Sequence, residues 1–411
     1  MAASKKKLKK VKVKVRVKAK AKSKKIASKK RVVKKVVKRK VLKKRIVKKK
    51  VAKKSLKPKY PKVLNKHKSN PIMRPVPGSY WESAGVFNPG AVVQAGRVHL
   101  FYRALGGDGV SRVGYASSKD GIRFDKRLTY PIFAAETREE AMTHWPNTSP
   151  ARLVYDTVAY ASGGGWGGCE DPRAVKIEGR VYLTFTKFDG WESMRVAFTS
   201  IGETDLERGN WAWSKYAYLS PPGDRQKNWV LFPDKFNGKF AILHNIDMGD
   251  ASRVHIAYVD KLDMRLTPNQ KQAPNVHNLP NHNVAWHNRT RSASAPPIKT
   301  KDGWLLLYHA MDKRDPGRYK VGAMLLDLED PTKVIYRSAY PILEPDEWYE
   351  NDWKPGIVFA SGAVVKDGEL FIYYGGGDKY VAVAHTKLDT FLDKLMKNEH
   401  IVLKSEKALK V

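Results

Sequence analysis

Cysteine is almost missing from this chain: Cys169 is the single one in 411 residues. No intrachain disulfide is possible, and a secreted fold stapled by bridges is excluded. Acid is missing from residues 1 to 81, which carry 35 Lys and Arg before Glu82, the first carboxylate. Aromatic residues are missing before Tyr60, so base stacking by that segment is not indicated. No apolar run has the length of a signal-peptide core or a membrane-spanning helix. A Gly-rich nucleotide loop opening a helix is also missing, as is any His or Cys cluster at metal-ligand spacing. Neither a metal nor an organic cofactor is expected.

What is present divides sharply. The formal charge is +38, yet residues 82 to 411 hold 43 basic and 40 acidic residues. The excess belongs to a low-complexity Lys, Val and Ala tail, taken as residues 1 to 70, whose like charges repel and resist packing. Such a tail is expected to be disordered in isolation. It is either a neutral solvated arm or a non-specific binder of nucleic acid or another polyanion through counterion release. Residues 71 to 411 are enough for one large domain with a substantial core. The cytoplasm is the expected compartment, with no membrane span.

Five segments repeat one pattern, Gly followed by an apolar, β-prone stretch: Gly96 to Arg103, Gly179 to Thr186, Gly238 to Asn245, Gly303 to Ala310 and Gly368 to Gly375. Their starts are 83, 59, 65 and 65 residues apart. A shorter apolar run precedes each: Phe87 to Gln94, Asp171 to Ile177, Leu231 to Phe236, Ala295 to Lys299 and Phe359 to Val365. A third follows: Arg112 to Ser117, Arg195 to Thr199, Arg253 to Val259, Tyr319 to Leu326 and Tyr380 to His385. Aromatic and β-branched runs bounded by Gly, Asp and Asn read as strands in hairpins. A repeated strand trio predicts an all-β chain, a five-bladed β-propeller, rather than a generic sandwich.

In a propeller the first strand of each blade lines the central channel. The start of strand one, the end of strand two and the start of strand three then share one face. That face gathers Asn88, Asp171, Arg173, Arg103, Lys187, His244, His309, Arg112, Arg195, Arg253 and Asp378, and Lys227 should reach it from the approach to blade three. The plainer readings are that Arg173 braces a neighbouring acid and that Arg112 and Arg253 form blade-to-blade ion pairs. Gly163-Gly164-Gly165-Trp166-Gly167-Gly168 enters a strand, which suits a flexible loop over the site better than a phosphate cradle.

The face is rich in cations and holds one conspicuous acid in a strand, Asp171 of Glu170-Asp171-Pro172-Arg173. A two-carboxylate glycosidase needs a second carboxylate as base or nucleophile. A phosphorylase needs one acid plus convergent cations for phosphate, and Asp171 with Arg195, Lys227 and His244 meets that requirement. Asn88 stands where arabinanase- and invertase-like propeller hydrolases place an essential Asp. A hydrolase remains the alternative, with Glu170, Glu139 or Glu140 as base. A non-catalytic carbohydrate-binding propeller is the third reading.

Asn88-Pro89-Gly90, Gly168-x-Glu170-Asp171-Pro172-Arg173, the Lys227-to-Pro233 segment, Pro296-Pro297-Ile298-Lys299-Thr300, Gly303 to His309, Leu325 to Pro331 and Tyr373 to Asp378 together resemble glycoside hydrolase family 130. The resemblance runs in order from about residue 80 to 395 and leaves the tail outside. It implies β-mannoside phosphorylase or β-mannosidase activity on a five-bladed propeller. It implies Asp171 as general acid, acting in phosphorylases through a sugar hydroxyl, and Arg195, Lys227 and His244 as the phosphate set. Asn88, Arg103 and Asp378 are similar to positions that hold the non-reducing sugar. Ser292-Ala293-Ser294-Ala295 and Gly356 to Gly362 depart from the family's usual wording, and the acceptor sugar turns on them. The expected reaction is inverting phosphorolysis, with inorganic phosphate as co-substrate. Asp171 must then be protonated when the bond breaks; burial and Glu170 raise its pKa, and nearby Arg lowers it.

Overall fold

The computed structural model describes residues 64–135, 162–189, 194–222, 225–245, 254–262 and 286–397. Arg253, Glu139 and Glu140 lie outside the described residues, as does most of the basic tail. The described chain is nearly all β, with a six-residue helix at Glu203–Arg208 and a ten-residue helix at Leu388–Lys397.

Five antiparallel strand groups follow one another. The first is Gly85–Gln94, Arg97–Leu105 and Val110–Ser118; the second is Gly167–Ile177, Arg180–Phe188 and Met194–Gly202. The third is Val230–Phe236, Lys239–Asn245 and Val254–Val259. The fourth combines Arg289–Ala293, Ile298–Thr300, Gly303–Asp312, Asp315–Leu326 and Val334–Arg337; the fifth is Val358–Lys366, Glu369–Gly376 and Tyr380–Lys387. A short parallel pairing, Val110 with Gly167 and Ser111 with Gly168, joins the first two into one continuous sheet. Asn65 and Lys66 form a two-residue strand on Tyr380–Lys387, although both fall on the tail side of the boundary expected at residue 70.

Turn chemistry explains the recurring glycines. Ala95-Gly96, Glu178-Gly179, Asn237-Gly238 and Asp367-Gly368 each place two successive residues at positive φ, from 46° to 77°. That is the two-residue hairpin turn whose twist matches the strands it joins. In these four groups the glycine therefore sits in the turn and the strand begins one residue later than the repeat suggests. The fourth group departs further. Its expected first strand, Ala295 to Lys299, is two pieces, Arg289–Ala293 and Ile298–Thr300, both paired to Gly303–Asp312. Pro296 and Pro297 have no amide hydrogen to give the ladder, so it breaks there.

Both faces of these sheets are buried, which explains why the strands read as continuous apolar runs. Successive side chains point to opposite faces. Trp304, Leu306 and Tyr308 pack with Val230, Phe232 and Leu243 of the third group, while Leu305 and Leu307 pack with Val358, Ile372 and Tyr374 of the fifth. Leu100 and Tyr102 meet Tyr373 and Val383 of the fifth group. Phe101 meets Leu183 and Phe185 of the second, and Val175 and Val196 of the second meet Leu231 and Ile242 of the third. Each group therefore packs on the next, and the fifth packs on the first. Each fully buried Leu or Phe in these interfaces stabilises the fold by roughly 1.5–3 kcal/mol.

Candidate active site

The site is built on bulges in the first strands of the first two groups. In the first group Phe87 pairs with Arg103 and Gly90 with Phe101; in the second Glu170 pairs with Thr186 and Arg173 with Thr184. Each strand thus carries one extra residue, and the residues swung out there are Asn88 (φ 46°) and Asp171 (φ 49°). Asn and Asp tolerate this left-handed conformation better than most residues, and Pro89 and Pro172 behind them need no ladder hydrogen bond. Asp171 lies inside the strand Gly167–Ile177, not at its head as the repeat suggested. The bulge, rather than the strand end, re-aims its side chain.

Asn88 Nδ2 donates to Asp171 Oδ1 at 2.7 Å, and Arg103 Nη1 donates to the same oxygen at 3.2 Å. Arg103 also gives Nη2 to Glu170 Oε1 at 2.9 Å and Nε to Ser111 Oγ at 2.9 Å, with its guanidinium over the Phe87 ring. Lys227 Nζ reaches the other Glu170 oxygen at 2.6 Å. Glu170 and Arg103 are buried, so each charge depends on the others. Removing one partner from such a cluster costs about 3–5 kcal/mol.

Burial pushes the Asp171 carboxyl up, but the charges of Arg103, Lys227 and Arg173, together with the Asn88 hydrogen bond, outweigh it and hold the pKa at about 2. The expected contest between burial and arginine is therefore won by the cations. Glu170, expected to raise Asp171, is itself engaged by Arg103 and Lys227.

Arg173 braces the backbone. Its Nη1 donates to the Asp171 carbonyl at 2.6 Å and its Nε to the Ser294 carbonyl at 3.2 Å, tying the second group to the fourth. Its Nη2 is buried with no hydrogen-bond partner among the described residues, while His309 meets Ser292 Oγ through Nδ1 at 3.0 Å and the Ala360 backbone. Arg173 and His309 both lie against Phe359, the imidazole stacked at 4.0 Å. Burial and then the Arg173 charge push His309 down to about 3, so the ring is neutral. His309 stood in the sequence-derived group at a strand end; nothing in the sequence pointed to its pairing with Arg173.

Asp378 (φ 51°) accepts from Lys354 Nζ at 2.6 Å. The Gly-rich segment lies over this region: an ideal Cβ on Gly163 would stand 3.2 Å from Arg103 Nη1 and 3.5 Å from Asp378 Oδ2, and one on Gly164 2.4 Å from Trp353 Cη2. Lys354 and Trp353 were missed in the sequence, because they sit in a loop between repeats.

The expected phosphate set is linked through the segment carrying Lys227. Arg195 donates to the Ser220 carbonyl at 2.7 Å with its guanidinium 3.7 Å from the Tyr218 ring. Gln226 N bonds the carbonyl of Met194, beside Arg195, at 3.1 Å. Trp229, bonded from Nε1 to Gln226 Oε1 at 3.3 Å, lies 4.9 Å from the His244 ring. Lys187 pairs with Asp189. Arg112 grips Asp108 of its own loop at 2.8 and 3.2 Å, so the expected bridge to a neighbouring blade is replaced by a local one.

The chain has relatives among known proteins. The glycoside hydrolase family 130 model, described as beta-1,4-mannooligosaccharide phosphorylase, matches residues 152–397. A 1,2-beta-oligomannan phosphorylase from Thermoanaerobacter sp. (strain X514) is 37% identical over 332 residues, 78% of this chain and 96% of the relative. A beta-1,2-mannobiose phosphorylase from the same strain is 32% identical, again over 78% of this chain and 96% of its own length. A solved glycosyl hydrolase from Bacteroides ovatus shares the fold with a TM-score of 0.62 at 24% identity, covering 79% of this chain and 94% of its own. The family match spans more than half the chain, and the relatives are matched almost end to end, so this chain belongs to glycoside hydrolase family 130.

Proposed function

We propose that the chain is an inverting glycoside phosphorylase acting on β-mannosides, converting phosphate and a β-mannosyl sugar into mannose 1-phosphate and the released sugar. One observation carries the reading. Among the described residues three carboxylates gather here: Glu170 is held by Arg103 and Lys227, Asp378 by Lys354, and Asp171 by Asn88 and Arg103 on a bulge with a cationic surround. Hydrolysis by inversion needs a second carboxylate at liberty to activate water. A cationic surround with one proton donor suits phosphate as nucleophile instead.

In this reading Arg195, Lys227 and His244 hold phosphate, and Asn88, Arg103 and Asp378 hold the non-reducing mannosyl unit. Arg173 Nη2, without a hydrogen-bond partner among the described residues, is a further group for phosphate or sugar. Phosphate attacks the anomeric carbon opposite the leaving oxygen. The new carbon–oxygen bond forms as the glycosidic one breaks, and the leaving oxygen takes the Asp171 proton through a sugar hydroxyl. Asp171 rests ionised, so it must gain that proton within the loaded site. Phosphate brings negative charge among the cations that hold the carboxyl down, which raises its proton affinity. Proton transfer leaves Asp171 ionised, which is its resting state, and it takes up a proton from solvent again only when phosphate and sugar reload the site.

The cyclic packing of five sheet groups, fifth against first, supports the five-bladed propeller. The two Thermoanaerobacter relatives are named for β-1,2-linked substrates, which makes β-1,2-mannobiose and its longer homologues the first substrates to test. Residues 1–70 are read as a basic arm for nucleic acid or another polyanion, and the compartment as cytoplasmic. The deciding experiment incubates the protein with these sugars with and without inorganic phosphate. Mannose 1-phosphate formed only with phosphate is expected; free mannose released at the same rate without it would overturn the reading.

A further inference from the structure

Residues 64–70, the end of the segment read as the basic tail, are joined to the fifth strand group. Leu64 is in the core shared by the fourth and fifth groups, and Asn65 and Lys66 pair with His385 and Ala384. Asn70 exchanges hydrogen bonds with the Val383 backbone at 2.8 and 2.9 Å. From this strand the Lys66 ammonium reaches inward to both oxygens of Glu350, at 2.6 and 2.7 Å, and to the Glu344 carbonyl at 2.7 Å, with Asp346 also against it. Glu350 is fully buried, and Tyr374 donates to it at 2.9 Å. A buried carboxylate met by one cation from a distant part of the chain is costly to assemble and sensitive to its loss.

Glu350 organises the loop that borders the sugar region. Its Oε2 accepts from Glu347 N at 2.8 Å, and its carbonyl accepts from Gly356 N and Ile357 N at 3.2 and 3.3 Å. The loop so closed carries Trp353, which lies against Gly164, and Lys354, whose amide bonds Gly377 and whose ammonium bonds Asp378. A continuous path of bonds therefore runs from residue 66 to Asp378.

We propose that Lys66 is a positioning residue for the sugar region: by gripping Glu350 it fixes the 344–357 loop and, through Lys354 and Trp353, the geometry of Asp378 and the Gly-rich segment. The proposal rests on the phosphorylase reading for its kinetic consequence, but the loop's order can be measured without it. The end of the basic tail, residues 64–70, is thereby part of the site's supporting structure, not only a connection.

The test compares full-length wild type with Lys66→Met, Lys66→Arg and the control Lys299→Met, which removes an exposed pair with Asp234 at 2.6 Å. Phosphorolysis kinetics, titration with β-1,2-mannobiose and amide hydrogen exchange over 344–357 are read for each. Lys66→Met is expected to raise the mannoside KM and dissociation constant about 10-fold, with faster exchange over 344–357 and a small change in kcat. Lys66→Arg is expected to restore most of the loss, and the control to match wild type. Unchanged exchange and sugar affinity in Lys66→Met would overturn the proposal, as would a fall in kcat that tracks the folded fraction at constant KM. Should Lys66→Met fail to fold, Tyr374→Phe loosens the same carboxylate, and the same readouts decide. Wild type without phosphate-dependent turnover would sink the phosphorylase reading, while the exchange data would still judge the loop.

Discussion

Asn88 and Asp171 occupy corresponding bulges in the first and second strand groups, both at left-handed φ, and Asn88 Nδ2 donates to Asp171 Oδ1 at 2.7 Å. The contact orients the carboxylate and helps keep it ionised. In the proposed mechanism its other oxygen, Oδ2, carries the proton passed to the sugar hydroxyl.

Replacing Asp171 with Asn keeps the shape and removes the proton donor. Turnover of unactivated β-mannosides is expected to fall by about 10³-fold or more, within the span typical of positioned acids. Mannose 1-phosphate production measures it. Retained turnover would move the acid elsewhere.

Asp171 also makes a pH-dependent contribution to stability. Its folded pKa is depressed to about 2 from 3.8, so the contribution is present above the unfolded value and is lost as pH falls through the folded one. The depression corresponds to roughly 2–3 kcal/mol at neutral pH. Urea unfolding of wild type should therefore weaken more between pH 5 and pH 3 (about half the contribution is lost there) than unfolding of Asp171→Asn. Parallel pH curves for the two proteins would contradict the depressed value.

Lys227→Met tests the phosphate side. The KM for phosphate is expected to rise about 10-fold or more, with a smaller change for the mannoside, since a charge-assisted contact to the anion is lost. The variant also leaves Glu170 with one cation fewer, so its melting temperature should fall. A phosphate KM equal to wild type would remove Lys227 from the set.

Gly164→Ala tests the glycine-rich cover. A Cβ there would come within 2.4 Å of Trp353 Cη2, at a φ of 92° that L-residues rarely adopt. The mannoside KM should rise by about 10-fold as Trp353 is displaced. Steady-state kinetics at saturating phosphate would show it, and an unchanged KM would place the sugar away from this loop.

Deleting residues 1–59 is expected to weaken binding to heparin and duplex DNA and to flatten its salt dependence, while phosphorolysis continues. Equal, salt-insensitive affinities with and without the segment would dismiss the polyanion reading.

Much of the framework was legible in the chain. Hairpin turns and apolar runs are local, and Asn237-Gly238 or Asp367-Gly368 announces its geometry wherever it occurs. The fourth group was misread because its first strand is interrupted by Pro296-Pro297 and resumes on the other side, a continuity visible only through the shared partner Gly303–Asp312. Trp353 and Lys354 were illegible for a related reason. Loop residues follow no period, so only their contacts reveal what they do.

The sequence by itself determined the strand order, the separation of a basic arm from a nearly neutral domain and the candidacy of Asp171, since each follows from local pattern or composition. The tertiary structure alone decided how the charges are shared. That Arg103 serves Asp171 and Glu170 together, that Lys227 takes the second Glu170 oxygen, and that Lys66 reaches Glu350 across 284 positions depend on groups far apart in the chain. Coulomb interactions fall with distance in space and ignore distance in sequence. The ionisation of Asp171 therefore became readable only once the folded chain had brought its neighbours to it.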